Sequence, residues 1–237
     1  MIRVTKGLVL RTIKYSETSV IAKVFTREMG VCSYMVKGVR TQKGKIKQNL
    51  LQPLSYLDMC VYDSPKTSIN YIKEMQVAEQ FVNLREDSVK VTLVFFMTEV
   101  LYKTLNEGEV MPMVFDYVVE QLRGIDDGRI KVSYQPLLFM LQMSTFLGIE
   151  PLNNYSVGEP LFNLREGRFV GTKIDDYLLD NSESLAMHYL LAAYHGTSQV
   201  PKVSMSGALH MMIDYYGLHL PEFRNFKSHE ILHTLLR

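Results

Sequence analysis

The feature that most constrains this chain is a change of hydrophobic period near residue 78. From Ile2 to Gln76, apolar and polar residues alternate in short runs that are separated by turn residues. This pattern is typical of half-buried strands. Beyond residue 78 the apolar residues recur every three or four positions, which predicts amphipathic helices. We therefore expect about five strands followed by a mostly helical region.

The strand region has the size of a small barrel. In the run from Val20 to Arg27, the apolar residues Val20, Ala22 and Val24 would share one face, and the other face mixes aliphatic, aromatic and cationic side chains. About five antiparallel strands in roughly 75 residues fit an OB-type barrel, and small SH3-like barrels fit the same count. Periodicity does not separate the two.

The helical region contains one predicted interruption. Two short runs, Leu161-Phe-Asn-Leu164 and Arg168-Phe-Val170, flank Arg165-Glu-Gly167 and predict a hairpin near residues 160–171. The sequence thus predicts a domain of residues 1–78 and a second of residues 79–237. Core or amphipathic helices are expected at Val89 to Leu105, around Val114 to Leu122, and at Val132 to Leu147, Ser182 to Tyr194, Lys202 to Tyr216 and Lys227 to Leu236.

The charges of the two regions have opposite signs. Residues 1–78 hold 13 lysines and arginines against 5 aspartates and glutamates, a net charge of +8. The remaining residues hold 13 against 20, a net charge of −7. Such asymmetry indicates that the strand region contacts a polyanion, of which nucleic acid is the commonest.

Several other functional classes find no support in the sequence. Cys32 and Cys60 are the only cysteines and lack CxxC spacing, so we expect two small buried side chains rather than a disulfide or a zinc site. The nucleotide-binding patterns GxGxxG and GxxxxGK[ST] are absent, and no cofactor is predicted. The first residues lack the apolar region of a secretion signal, so a cytoplasmic protein without membrane contact is expected. Contact with nucleic acid would associate it with the nucleoid.

The strongest functional signal is a basic segment between the third and fourth predicted strands. It runs from Lys37 to Lys47 and places five cations in eleven residues, and no acidic residue occurs between Glu28 and Asp58. These like charges repel one another until a phosphate backbone supplies counter-charge. The predicted nucleic-acid ligands are the segment's cations and those of the neighbouring strands: Lys37, Arg40, Lys43, Lys45, Lys47, Arg11, Lys14, Lys23 and Arg27.

Aromatic side chains lie among these cations in the sequence. In barrels that bind single strands, lysine and arginine hold the phosphates while bases stack on aromatic rings. Tyr15, Phe25 and Tyr34 are therefore candidate stacking surfaces. A solvated, mobile lysine loop is the alternative interpretation of the same segment.

A competing motif occurs near the C-terminal end of the sequence. His229-Glu-Ile-Leu-His233 has the HExxH spacing of zinc-dependent proteases, in which two imidazoles bind zinc and the glutamate activates water. A catalytic zinc needs a third protein ligand, which in most such enzymes lies downstream, and only four residues follow His233. We therefore expect no enzyme activity, and a zinc hydrolase at His229, Glu230 and His233 is the less favoured alternative.

Two sets of short sequence blocks carry a resemblance to a known family. The N-terminal set is Gly7-Leu-Val-Leu-Arg11, Tyr15-Ser-Glu-Thr-Ser19, Phe25-Thr-Arg-Glu-Met-Gly30, Val36-Lys-Gly-Val-Arg40 and Leu51-Gln-Pro-Leu54. The second set is Phe146-Leu-Gly-Ile-Glu-Pro151, Phe162 to Val170 and Lys227 to Leu232. The first set resembles, in order and spacing, the opening of the bacterial RecO family of DNA repair and recombination mediators, and the second is similar to the family's C-terminal part. The likeness spans nearly the whole chain.

The resemblance implies an α+β protein, with a five-stranded OB-fold barrel followed by a mostly α-helical domain that carries the hairpin. It also implies binding of single- and double-stranded DNA and annealing of complementary strands. The implied partners are RecR, single-strand binding protein and, indirectly, RecA, which the protein would help to load. The family's DNA-binding positions match Lys37 and Arg40 inside the block Val36-Lys-Gly-Val-Arg40.

The chain departs from the family at the hairpin. Many RecO proteins carry a cysteine zinc motif there, whereas residues 153–170 contain no cysteine. The resemblance therefore implies a zinc-free variant whose hairpin region is held by packing, for which the candidates are Leu152, Tyr155, Leu161, Phe162 and Phe169. A protein-only adaptor, whose basic segment binds acidic partners, is the remaining alternative function.

Overall fold

The structure is a computed structural model. It describes residues 1–39, 41, 46–64, 67–172, 175–196 and 205–235, with the backbone alone for residues 205 and 232–235. Its described residues form two compact units, Met1–Lys131 and Val132–Arg237.

The first unit is built on a closed five-stranded barrel. Its strands are β1 (Ile2–Lys14), β2 (Val20–Thr26), β3 (Gly30–Val36), β4 (Tyr56–Tyr62) and β5 (Ile69–Val77). The strand order is β1-β2-β3-β5-β4, and the sheet closes because β1 pairs with β4 through its first half and with β2 through its second. Only the β3–β5 pair is parallel among these pairings. This is the OB-type order, which confirms the expected barrel over the SH3-like alternative.

Alternation along the strands sorts side chains between the barrel interior and its outer wall. Val20, Ala22 and Val24 all belong to the buried interior cluster, as the sequence predicts. Cys32 and Cys60 are only partly buried, so the expectation of two buried cysteines is wrong. Cys60 is paired with Val4 on the outer wall, where no second layer encloses it completely.

Three helices cover one side of the outer wall. They are α1 (Asn83–Glu86), α2 (Ser88–Thr104) and α3 (Pro112–Asp126). Asp87 caps α2 by accepting hydrogen bonds from the backbone N–H groups of Val89 and Lys90. The ring of Phe25 on β2 meets Phe115 on α3 edge to face, with 5.4 Å between centroids, and this contact belongs to the core between barrel and helices.

The second unit is mostly helical and contains a small hairpin. Its elements are α4 (Gln135–Phe146), β6 (Leu161–Asn163), β7 (Arg168–Val170), α5 (Asn181–Tyr194), α6 (Met205–His219) and α7 (Ser228–Leu235). β6 and β7 pair antiparallel, as predicted for the hairpin near residues 160–171. The predicted helices agree with α2 to α7 to within a few residues at each end.

The hairpin is held by aromatic packing and by amide groups. Phe162 and Phe169 are fully buried and meet edge to face at 4.9 Å, and Tyr155 packs on Phe169 at 5.4 Å. The side chain of Asn154 donates to the carbonyl of Phe169 and accepts from its N–H group. Leu152 is 58% exposed, so its predicted part in this packing is wrong.

The change from strand to helix occurs between Val77 and Asn83, close to the predicted position at residue 78. The first three helices nevertheless belong to the same compact unit as the barrel. The domain limits of 1–78 and 79–237 stay a prediction. In the described part of the chain, none of the helices combines the length and the apolar composition that crossing a bilayer demands.

Candidate nucleic-acid interface

One end of the barrel brings distant cations together. Lys14 ends β1 and pairs with Val20, which begins β2 and pairs in turn with Val36, the last residue of β3. Lys37 follows directly. Since neighbouring strands lie about 4.8 Å apart, the backbones of Lys14 and Lys37 are separated by about 10 Å. We call Lys14, Lys37 and Lys47 the basic rim, and all three are exposed.

Apolar anchors hold the basic segment on this end of the barrel. Val39 and Leu51 are 4% and 5% exposed and belong to the interior cluster, and Ile46 and Leu50 pack against it. Lys47 directly precedes the 3₁₀ helix Gln48–Leu51. The anchors bury the apolar positions of the segment, so its charged positions at Lys37 and Lys47 face solvent. Arg40, Lys43 and Lys45, which the sequence also selects, lie outside the described residues.

Lys37 lies over an aromatic ring of the outer wall. Its Nζ atom is 5.0 Å from the ring centroid of Tyr71 on β5. Tyr71 is paired with Met35 on β3 and with Tyr62 on β4. The cation and the ring attract each other and leave the ammonium group accessible to an anion.

Arg27 has a different environment from the basic rim. Its guanidinium donates from Nε and Nη2 to the two carboxylate oxygens of Asp116 on α3, at 2.8 Å each. These hydrogen bonds hold the pKa of Asp116 below its ordinary value and raise the pKa of Arg27. Arg27 therefore joins the turn that follows β2 to helix α3.

Arg11 and Lys23 also contact the helical side of this unit. The two residues are paired across β1 and β2, and both lie over the ring of Tyr102 on α2, at 5.2 Å and 4.9 Å from its centroid. Arg11 donates to the Tyr102 hydroxyl at 3.2 Å, and Lys23 forms an ion pair with Glu107 at 3.1 Å. The described cations that were predicted to bind nucleic acid thus form two groups. One is the basic rim at the end of the barrel, and the other consists of Arg11, Lys23 and Arg27, which contact the helical side of the unit.

Of the three aromatic residues predicted to stack on bases, two are buried and one is exposed. Phe25 and Tyr34 are 0% exposed, so their prediction as base-stacking surfaces is wrong. Phe25 is covered by α3, and Tyr34 points into the barrel. Burial also raises the pKa of Tyr34. Tyr15 is 63% exposed and stays a candidate at the turn between β1 and β2.

Tyr62 and Tyr71 are exposed aromatic residues that sequence reasoning did not select. They are directly paired on β4 and β5 and are 45% and 46% exposed. Strand parity could have identified Tyr62, because Leu57, Met59 and Val61 point inward and leave Tyr62 on the outer face. The position of Tyr71 depends on a register shift of β5, which the sequence pattern does not reveal.

The HExxH motif does not form a described metal site. His229 packs its ring on Phe226, with 5.6 Å between centroids and 15° between planes. The side chain of His233 lies outside the described residues. Among the residues whose placement is described, no group of three or more histidines, cysteines, aspartates or glutamates could hold a metal ion.

Comparison with known proteins assigns the family. Residues 1–81 match the model of the recombination protein O N-terminal domain, and residues 85–158 match that of its C-terminal domain. Over 99% of both chains, the protein is 30% identical to DNA repair protein RecO of Phocaeicola vulgatus. It is 28% identical to the RecO protein of Christiangramia forsetii over 98% of both chains, and 27% identical to that of Bacteroides fragilis over 99%. The barrel order, the hairpin and these matches together place the chain in the RecO family.

Proposed function

We propose that this RecO family member acts in DNA repair and recombination by holding DNA on the basic rim of its barrel. The DNA backbone would lie across Lys14, Lys37 and Lys47 and the cations of the segment between them. The observation that supports this most directly is the register that joins Lys14 to Val20 and Val20 to Val36. It brings two exposed cations from separate strands to the same end as the basic segment.

The electrostatics of the rim favour an anionic ligand. Among the described residues, Lys14 and Lys37 have no ion-pair partner, whereas Arg27 and Lys23 contact Asp116 and Glu107. Cations that lack nearby carboxylates gain more from a bound phosphate than cations already paired. We therefore assign phosphate binding to Lys14 and Lys37, and we assign Arg11, Lys23 and Arg27 to the contact between barrel and helices. The sequence prediction adds Lys47, Arg40, Lys43 and Lys45 to the phosphate-binding set.

The resemblance to the RecO family supports a more specific role for the protein in strand annealing and RecA loading. In this role the protein anneals complementary strands and helps RecA to load onto single strands covered by single-strand binding protein, together with RecR. A binding site made of backbone contacts suits this role, because phosphate contacts do not depend on base sequence. The same rim would hold any single strand, whatever its base sequence.

The salt dependence of DNA binding tests the electrostatic part of the proposal. Fluorescence anisotropy of a labelled oligonucleotide, measured over a series of salt concentrations, gives the slope of log affinity against log salt. Neutralising five or six phosphates of a single strand predicts a slope of about −4, from roughly 0.7 per phosphate. A slope near zero, or no binding in dilute buffer, would contradict the proposal.

A charge-reversed variant locates the site. Lys37→Glu combined with Arg40→Glu should abolish binding while the unfolding midpoint stays near that of the unchanged protein. The matched control is Lys131→Glu combined with Arg224→Glu, which changes the net charge equally at exposed positions outside the barrel. Equal loss of affinity in both variants would show that net charge matters and the rim does not.

Two further assays test strand annealing and RecA loading. Annealing of complementary oligonucleotides is followed by fluorescence quenching, and RecA loading by the lag before ATP hydrolysis on strands coated with single-strand binding protein. The rim variant should lose both activities, and the control variant should keep them. Binding of acidic peptides without any oligonucleotide binding would instead favour the protein-only adaptor.

A further inference from the structure

The register of the barrel aligns a row of apolar and aromatic side chains around its outer wall. Each member is directly paired with the next across neighbouring strands, and directly paired residues point to the same face of a sheet. The side chains that adjoin the row along each strand point into the barrel interior, namely those of Val20, Val36, Val61 and Ile72. The row therefore lies on the outer wall. We call this row the apolar belt. Its members, in order, are Ile13, Ile21, Met35, Tyr71, Tyr62 and Ile2.

The two tyrosines form the exposed aromatic centre of the belt. Tyr62 and Tyr71 stand opposite each other on adjacent strands, where Cβ atoms are about 5 Å apart. Each keeps nearly half of its surface exposed, and Ile2, next in the row, is 52% exposed. Aromatic rings that remain open to water on an outer wall cost free energy that a stacked partner would recover.

Charge distinguishes among the partners that could cover this surface. At the belt, the ammonium group of Lys37 lies over the ring of Tyr71. Two carboxylates close to the tyrosines in the pairing of β4 with β5 are engaged with cations, since Asp63 pairs with Arg3 at 2.9 Å and Glu74 with Lys73 at 3.8 Å. A partner with flat apolar faces and regularly spaced negative charges suits aromatic rings that lie beside such a cation. Unpaired nucleotides have this chemistry.

We propose that Tyr62 and Tyr71 stack on unpaired bases and give the site a preference for single strands over duplex DNA, an inference that rests on the proposed function of the basic rim. A duplex buries the faces of its bases within its own stack and offers only phosphates to the protein. A single strand offers both groups, so its phosphates lie on the basic rim while its bases cover the tyrosines.

Alanine variants separate stacking from phosphate binding. Tyr62→Ala and Tyr71→Ala should each weaken single-strand binding by about 5- to 150-fold, the range for loss of one stacked base. Their affinity for a blunt duplex and their salt slope should stay unchanged. Lys37→Ala should instead weaken binding of both single strands and duplex. It should also reduce the magnitude of the slope of log affinity against log salt by roughly 0.7. Tyr134→Ala, a change at a similarly exposed tyrosine outside the barrel, is the matched control.

A spectroscopic test does not depend on affinity. The chain contains no tryptophan, so Tyr71→Trp introduces a single reporter. A base that stacks on this indole should quench its fluorescence when oligo(dT) is added, whereas the indole of Tyr134→Trp should keep its intensity. Tyr71→Phe, which preserves the ring, should keep the affinity for single strands.

The outcomes distinguish the two proposals. If the tyrosine variants bind single strands as well as the unchanged protein, or if saturating oligo(dT) leaves the indole fluorescence of Tyr71→Trp unaltered, stacking is refuted while the basic rim stands. Equal losses on single strands and duplex refute the preference. If the unchanged protein binds neither DNA in dilute buffer, the rim and the stacking surface are refuted together.

Discussion

Arg27, directly after β2, and Asp116 on α3 are joined by two hydrogen bonds of 2.8 Å between the guanidinium and the carboxylate. The pair fixes the orientation of helix α3 against the barrel, beside the contact of Phe25 with Phe115. A cation that the sequence places in a DNA-binding set is thus engaged in holding the first unit together. Lys37 has no such carboxylate partner among the described residues.

This difference predicts opposite behaviour for two alanine variants. Arg27→Ala should lower the unfolding midpoint in urea, because Asp116 loses both donors, and should leave the salt slope of DNA binding unchanged. Lys37→Ala should keep the unfolding midpoint and reduce the slope by roughly 0.7. Chemical denaturation and anisotropy on the same two proteins make the comparison, and a reduced slope in Arg27→Ala would show that this residue also contacts phosphate.

Gly30 is predicted to be intolerant of any side chain. Its φ is +67°, and a Cβ atom added there would lie 2.1 Å from the carbonyl oxygen of Glu109. Gly30→Ala combines the left-handed backbone cost of about 1 to 2 kcal/mol with a backbone collision, so the free energy of unfolding should fall by more than about 2 kcal/mol. Gly128→Ala has φ of +79° with open space and should cost only about 1 kcal/mol. Equal losses would show that the collision is relieved.

Asn154 is predicted to stabilise the hairpin through the backbone of Phe169. Its side chain donates to the Phe169 carbonyl at 3.0 Å and accepts from the N–H group at 2.8 Å. Asn154→Ala leaves both groups without these partners, and the expected loss of unfolding free energy is about 1 to 3 kcal/mol. Urea denaturation measures the loss, with the exposed Asn225→Ala as control. A variant as stable as the unchanged protein would mean that water replaces the amide.

Removal of metal is predicted to leave stability unchanged. The hairpin region contains no cysteine, and it is held by contacts between aromatic rings and by hydrogen bonds of an asparagine side chain. Treatment with a zinc chelator should therefore leave the thermal unfolding midpoint within error of the untreated protein. A lower midpoint that added zinc restores would reveal a metal site that this packing does not account for.

His188 is predicted to make the second unit sensitive to acid. Its Nδ1 lies 2.8 Å from the side-chain oxygen of Asn153, and its ring stacks on Tyr155 at 4.3 Å. Burial lowers the pKa of His188, so the folded protein binds a proton less readily than the unfolded chain. The contribution of His188 to stability is complete above its ordinary pKa of about 6.5 and is lost as pH falls toward the lowered folded value.

Urea midpoints at pH 7.5 and pH 5.5 test this prediction. The unchanged protein should lose more stability between the two conditions than His188→Phe, which keeps a ring to stack on Tyr155 and cannot take up a proton. The same difference in both proteins would assign the acid sensitivity to other groups.

The sequence by itself determined the architecture, because hydrophobic period is a local property. Alternation from Ile2 to Gln76 and helical spacing beyond it predicted the barrel, the helices and the hairpin, and the charge division predicted that the barrel carries the basic surface. The resemblance of the N-terminal blocks predicted the family that the comparisons confirm.

Only the tertiary structure decided which side chains are available to a ligand. The sequence placed Phe25 and Arg27 on one face of a single strand. In the structure Phe25 lies in β2 and is covered by α3, whereas Arg27 lies in the turn after β2 and pairs with Asp116 of α3. The alignment of Tyr62 with Tyr71 depends on how β5 pairs with β4, including a register shift beside Cys60. The alternation of side chains between the two faces follows from each strand alone. The register between strands and the covering of one face by a helix arise instead from contacts between residues far apart in the chain.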